Sequence, residues 1–253
     1  MDPKFYKEYY HLERNHWWFT ARLSILESLL QKLVLKNQNA PLKILNAGVA
    51  TGATSEMLNK YGEVTSLEYD KECCEFLEEK TNIKPVHGSL TELPFQDQEF
   101  DLVCAFDVLE HIEDDVLACQ EIARVLKSDG QYYITVPAYT FLWSNHDIIN
   151  HHFRRYTRKT MLESLNNGNL TNTHSTYFNF LLFLPIALLR LSQKLVTKSK
   201  ERQSSGSDNE VFQSNTIINK TLQLIFLSEK TILKKRMKLP FGISFLSIGT
   251  KKQ

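Results

Sequence analysis

The sequence predicts an α/β fold built on a seven-stranded, mostly parallel sheet, and three stretches carry that prediction. In the first, at 42–52, the apolar run Ile44-Leu45 ends at Asn46 and enters a turn of small residues, Gly48-Val-Ala-Thr-Gly52. A helical run from Ala53 follows directly. The second, Val64-Thr-Ser-Leu-Glu68, is a strand pattern that ends in an acid. The third, Phe100-Asp-Leu-Val-Cys-Ala105, is the near-continuous apolar run expected of a strand covered on both faces. Strand, glycine turn and helix in immediate succession bring backbone N–H groups and a positive dipole end to one point. Gly48 and Gly52 can adopt positive φ there and let a ligand approach the backbone. Open α/β sheets bind nucleotides at such a turn, and an acid at the end of the second strand is placed for ribose hydroxyls.

Composition bounds the remaining choices. The 253 residues are 42% apolar, enough for a packed core in one large domain or in one domain with a lid. Thirty Lys and Arg against 29 Asp and Glu give a net charge of +1, so no nucleic-acid partner is expected. Cys73, Cys74, Cys104 and Cys119 show neither CxxC nor Cys/His metal spacing, which fits a reduced, cytoplasmic compartment. The first seven residues lack the apolar core of a secretory signal.

In chain order, residues 4–36 read as helical with a break near Asn15, and Ile25, Leu26, Leu29, Leu30 and Leu33 repeat at helical spacing to pack on the sheet. Residues 1–40 therefore form a helical N-terminal cover and 41–177 the α/β core. Residues 71–80 are an amphipathic helix with Cys74, Phe76 and Leu77 inward, and 84–88 a short third strand. The helix at 114–127 is expected to bury Val116, Leu117, Ala123, Val125 and Leu126, and to close on Gly130 at its C′ position. Residues 131–136 are the fifth strand and 157–166 a further helix. A sixth, antiparallel strand is expected at 171–177. A helical insertion at 178–240 contains a flexible polar loop at 197–212, and 241–253 supply the last strand. The stretch 178–191 is the most apolar in the chain, but too short for a bilayer, which needs ~20 residues. It either packs internally or makes a peripheral membrane contact.

Between Ile44 and Pro137 the chain resembles the class I S-adenosylmethionine-dependent methyltransferases of the broad methyltransferase type 11 group. The likeness rests on the 48–52 turn, on Glu68, and on Phe106-Asp-Val-Leu-Glu-His111 after the fourth strand. It implies a Rossmann-like fold and S-adenosyl-L-methionine as cofactor. Asn46, Gly48, Ala50 and Gly52 would form the first motif, Glu68 would bond the ribose, and Tyr69 would stack beside the adenine. Ser89 and Leu90 would read the adenine edge, and Phe106 and Asp107 would face the methionine end. Two positions depart from the family pattern. Asn46 stands for an Asp and so loses a charge, and Ala50 stands for a Gly, tolerable if its φ is negative.

The acceptor side is read from two further runs, each with family parallels. His16-Trp-Trp-Phe-Thr-Ala-Arg22 would place Trp18 and Arg22 over the cofactor or a substrate acid; its alternative role is to staple the helix to the core. The run 143–158 carries Trp143, His146, His152, Arg154, Arg155 and Tyr156 as a substrate wall, whose bland alternative is a solvated basic face. Arg154 or Arg155 would meet an anionic group, and His146 or His152 would accept a proton. His111 is a third candidate base, or a structural histidine. The histidines of the run lack a tight ligand pair, so no metal is expected. Together these imply a small-molecule methyl acceptor, anionic or amphiphilic, such as a lipid-linked or glycan intermediate. Rival readings are an NAD(P)-dependent oxidoreductase using the same turn, a non-catalytic cofactor-binding partner protein, and an RNA methyltransferase. The segment after the fourth strand opposes the first rival and the neutral charge opposes the last.

Overall fold

The computed structural model describes residues 6–34, 41–197 and 216–252. A seven-stranded sheet runs in the order β3-β2-β1-β4-β5-β7-β6. Its strands are β1 (Leu42–Ala47), β2 (Gly62–Glu68), β3 (Val86–His87), β4 (Phe100–Phe106), β5 (Leu126–Pro137), β6 (Leu170–Phe178) and β7 (Ser244–Lys251). β1 to β5 pair in parallel. β7 lies between β5 and β6 and is antiparallel to both. The reversed strand is thus β7, and β6, expected to be the antiparallel one, runs with β1–β5. Side-chain alternation fixes which face a residue occupies but carries no information on strand direction.

Ile44 and Leu45 point to opposite faces and both are fully buried, because helices cover the sheet on each side. Ile44, Leu102, Cys104 and Tyr133 pack towards α2 (Trp17–Leu29), α3 (Ala53–Leu58) and α9 (Thr216–Lys234). Leu45, Val103, Ala105 and Tyr132 pack towards α5 (Asp115–Val125) and α7 (Arg158–Asn167). On α2, Ile25, Leu26 and Leu29 are fully buried, each worth roughly 2 kcal/mol of transfer free energy.

α1 (Tyr6–Asn15) stops where predicted, and His16 caps α2 with its side chain; α4 (Lys71–Lys80) follows β2, and the short α6 (Asn145–Ile149) lies between β5 and α7. α5 differs in two respects. Its buried stripe is Ala118, Cys119, Ile122, Ala123 and Val125, while Leu117 is exposed. Gly130 does not close the helix: the chain extends from Leu126 onward as β5, so no left-handed cap is needed. Between β6 and β7 come α8 (Phe183–Thr197) and α9, and α9 docks on α2 through Gln223 Nε2–Thr20 Oγ1 and Lys230 Nζ–Ser24 Oγ, both 2.9 Å. Of the loop predicted at 197–212, only Thr197 is among the described residues. No helix among the described residues is long and apolar enough to cross a membrane.

Candidate active site

The order β3-β2-β1-β4-β5 places the topological switch point between β1 and β4, and a cavity of about 1170 Å³ opens at the carboxyl ends of these strands. Gly48 and Gly52 both have positive φ, +68° and +92°. A Cβ at Gly48 would lie 2.5 Å from Val108 Cγ2, so that glycine is required by packing as well as by conformation. Ala50 is also left-handed, at φ +47°. The expectation of a negative φ fails there, because the turn retains the shape a glycine would give it and the alanine bears the strain.

The N–H groups of the turn are mostly used within the protein. Gly48 and Val49 donate to the Leu67 carbonyl, Gly52 to Val49, and Ala50 to Glu68 Oε2 at 3.0 Å. The turn therefore offers shape more than donors. Glu68 accepts from Tyr69 N and Asp70 N as well, so its carboxylate ties the ends of β1 and β2 together. Burial nonetheless raises its pKa above the usual carboxylate value, against the lowering by those backbone bonds. Asn46 does not reach the cavity. Its Nδ2 donates to Thr54 Oγ1 and Ser55 Oγ at 2.8 and 2.9 Å, stapling α3 to β1 from beneath the turn, and its buried Oδ1 has no partner. Tyr69, 76% exposed, stands at the rim, and Ser89 and Leu90 line the same end.

α1 crosses this end as a strap. Glu13 accepts a short hydrogen bond from Thr51 Oγ1, Arg14 donates to the Thr51 carbonyl and pairs with Glu56, and the Tyr6 hydroxyl donates to Asp70 at 2.6 Å. Burial lifts the Glu13 pKa to about 7. Glu13, Tyr6 and Tyr9 line the cavity and no sequence motif marked them, whereas Thr51, which also lines it, belongs to the 48–52 turn. The one usable signal was an acid within an otherwise aromatic helix face.

At the end of β4, Phe106 packs edge-on against Tyr133, and Asp107 is held at φ +57°. Arg22 Nη2 donates to Asp107 Oδ2 and Thr135 Oγ1, both at 2.8 Å, and Thr135 Oγ1 donates to Asp107 Oδ1 at 2.9 Å. Trp18 lies beside this group, its ring 5.5 Å from the Arg22 guanidinium. Glu110, inside the segment 106–111 but given no role there, is 1% exposed, lines the cavity and leaves Oε2 without a partner. Burial, then the charge of Asp107, pushes its pKa well up.

The loop after β5 is only partly a substrate wall. His146 and His152 line the cavity, and His152 meets His111 edge-on with ring centres 4.5 Å apart. His111 presents its ring to the open cavity, yet the surrounding protein and then His152 bring its pKa down to about 4. Arg155 borders the cavity too, but its guanidinium is committed: Nε and Nη2 donate to the buried Asp147 at 2.7 and 3.0 Å, and Nη1 to the Ala138 carbonyl. Burial alone would raise the Asp147 pKa, but hydrogen bonds from His152 and Arg155 outweigh it and hold the carboxyl well below the usual range. Arg154 lies outside the cavity lining, paired with Asp115 at 3.1 Å and bonded to the Glu113 carbonyl. Tyr156 is a core residue whose hydroxyl donates to Asp115 at 2.8 Å, and Trp143 is likewise absent from the lining. Of the four residues expected to meet substrate here, Trp143, Arg154 and Tyr156 do not line the cavity, and Arg155, which does, has its guanidinium engaged by Asp147. The far wall comes instead from Leu182, Pro185, Ile186 and Leu189 at the start of α8.

A family model described as a methyltransferase domain matches residues 45–134, from β1 into β5. Residues 45–134 thus carry a methyltransferase domain. The demethylmenaquinone methyltransferase of Staphylococcus aureus (strain MRSA252) is 36% identical over 110 residues, 40% of this chain and 46% of that protein. The chain thus spans under half the length of this curated relative. Among solved structures, a chain of the complex between the Haloferax volcanii Trm112 methyltransferase activator and a methyltransferase superposes with TM-score 0.61 at 14% identity, covering 99% of this chain and 97% of that one. Geranyl diphosphate C-methyltransferase from Streptomyces coelicolor A3(2) superposes with TM-score 0.59 at 12% identity, covering 91% and 79%. These two show that the methyltransferase domain and the strands after it share one fold. The cofactor of this domain class is S-adenosylmethionine. The residues present suit it: a strained turn with no side chain at Gly48, a carboxylate at the end of β2, and the Asp107–Arg22 pair at the end of β4.

Proposed function

We propose that the protein methylates a small-molecule acceptor with an apolar body, using S-adenosylmethionine bound at the β1–β3 end of the cavity. The observation that carries this reading is continuity: the turn residues Gly48, Val49, Ala50 and Thr51, Glu68, the histidines 111, 146 and 152, and the apolar start of α8 all line one cavity, with Gly52 just behind the lining. Glu68 has one lone pair left on Oε2 for a ribose hydroxyl, Ser89 and Leu90 face the adenine, and Tyr69 closes the rim. Asp107, Phe106 and the Arg22 guanidinium take the methionine end. When bound, the cofactor supplies a methyl group already activated on sulfonium, so the protein needs no strong catalytic group. What this chain adds is alignment, exclusion of water and removal of a proton. The strap α1 and Trp18 exclude water. His111, His146 and His152 stand where the polar end of an acceptor arrives, and His111, neutral at pH 7 through its lowered pKa, is ready to accept a hydrogen bond.

An apolar acceptor body fits the wall of Leu182, Pro185, Ile186 and Leu189. The names of the relatives, demethylmenaquinone methyltransferase and geranyl diphosphate C-methyltransferase, support a small-molecule acceptor. An acceptor anion gripped by Arg154 or Arg155 is left out, since both guanidinium groups are engaged. In this reading residues 1–40 act as the cover and 178–240 as the acceptor-side insertion. α8 exposes Leu184 and Leu188 at 64% and 59%, which supports an enzyme that meets its acceptor at a membrane surface, the cytoplasmic face in this reading. Flotation with anionic vesicles tests that surface: co-flotation lost in a Leu184→Ser/Leu188→Ser double variant is expected, and no co-flotation of the unaltered protein refutes it. The activity is tested by incubating the protein and S-adenosylmethionine with fractionated cell extract and identifying the methylated product by mass spectrometry. Formation of S-adenosylhomocysteine with one small-molecule product is expected. Methylation confined to RNA fractions would overturn the acceptor class.

A further inference from the structure

We propose that Glu110, His111 and His152 form a binding site for a divalent first-row transition metal, with open coordination positions facing the acceptor. The ligand atoms of these three side chains all lie within 4.8 Å of one another. Two imidazoles and one carboxylate suit zinc, iron or manganese, and three protein ligands leave positions open, as in catalytic sites. Bonds of about 2.0–2.2 Å require each ligand atom to move inward by roughly 1 Å, within reach of side-chain rotation.

Three independent features support a ligating arrangement. Glu110 is 1% exposed, yet its Oε2 faces no partner; an unpaired buried carboxylate oxygen is costly unless something binds it. Each histidine is held by one ring nitrogen, leaving the other available. His152 Nδ1 lies 2.8 Å from Asp147 Oδ1, and His111 is bonded to the backbone of Asn150. Ligating histidines show this pattern of outer contacts, which fixes the tautomer and turns the second nitrogen inward. Asp147 is in turn fixed by Arg155 and by Ser144 N, so the outer shell is rigid. Finally, the loop is pinned where the ligands meet: Phe153 N donates to the Glu110 carbonyl at 2.7 Å, which sets His152 against the end of β4. The sequence concealed the site because it joins a loop histidine to a pair 41 positions earlier, whereas ligand spacing was sought within the loop alone.

The role of the ion rests on the methyl-transfer reading, although the site does not; with the ion bound, the free nitrogens of His111 and His152 go to it and the acceptor is met through the metal. A metal-bound acceptor hydroxyl gives up its proton to solvent near neutral pH, and its oxygen is then held for attack on the methyl carbon. The O–C bond forms as the C–S bond breaks, and the sulfonium leaves as a neutral thioether.

Protein freed of metal with a chelator is titrated with Zn2+ by calorimetry and with Co2+ by visible absorption. One ion per chain is expected, with the intense visible bands of a low-symmetry Co2+ site. Glu110→Gln, which keeps size and shape, should weaken Zn2+ binding at least tenfold, and Asp147→Asn about 10–100-fold through the outer shell. His111→Ala provides the second ligand test should Glu110→Gln fail to fold. S-adenosylhomocysteine binding is measured on the same samples and should persist without metal. The proposal is overturned if neither ion binds, or if Zn2+ binds equally well to Glu110→Gln and His111→Ala. Intact S-adenosylhomocysteine binding in that case leaves the methyltransferase reading standing. Metal binding without any S-adenosylhomocysteine binding would instead remove the cofactor assignment and keep the site.

Discussion

Replacing Ala50 by glycine should stabilise the protein, although the alanine lies in the most constrained turn of the fold. At φ +47° an L-residue pays about 1–2 kcal/mol for contact between Cβ and the following carbonyl. Glycine avoids that cost but loses roughly 0.5–1 kcal/mol through its greater freedom in the unfolded chain. The net gain is about 0.5–1 kcal/mol, which for a chain of this size corresponds to about 1–4 °C in Tm. The backbone contacts survive the change, since Ala50 N donates to Glu68 and Ala50 O accepts from Cys73 Sγ. Ala50→Val provides the opposite sign, because a β-branched side chain is a worse fit at positive φ. Scanning calorimetry of the three proteins decides the matter. A Tm for Ala50→Gly below that of the unaltered protein, with Ala50→Val tolerated, would refute the left-handed assignment.

Other consequences are as direct. Glu13 carries a pKa raised from 4.5 to about 7, so its contribution to stability is complete below about pH 4.5 and is lost as pH rises through 7. Glu13→Gln should abolish that loss and exceed the unaltered protein by roughly 3 kcal/mol above pH 7, read as a flatter plot of Tm against pH; identical plots would contradict it. Asp147→Asn leaves the Arg155 guanidinium buried and unpaired, and should cost about 3–5 kcal/mol in urea unfolding. A loss under 1 kcal/mol would show that Arg155 is free to bind a ligand. Arg154→Ala removes a partly exposed pair with Asp115 and should leave product formation unchanged in the extract assay.

The cofactor end of the fold was legible because short-range chemistry writes it. A glycine needed for positive φ, an acid ending a strand and an apolar run each announce themselves within a few residues. The acceptor end was not, because its residues meet only in three dimensions. Arg155 and Asp147 are eight positions apart and cancel one another, Tyr156 turns inward to Asp115, and Glu110 stood in a recognised segment without a role of its own. Asn46 illustrates the middle ground: its place in the motif was visible, but only the structure shows its amide facing Thr54 and Ser55 instead of the cavity. The direction of β7 was hidden for a different reason, since pairing depends on the path of 178–240 and on nothing within the strand.

Calorimetric titration of the intact protein with S-adenosylhomocysteine, with NADH run in parallel, tests the central claim most directly. The account predicts one S-adenosylhomocysteine per chain, no heat from NADH, and a loss of about 1.5–3 kcal/mol in binding for Glu68→Ala with the fold retained. Binding of NADH in place of S-adenosylhomocysteine, or undiminished affinity in Glu68→Ala, would contradict it.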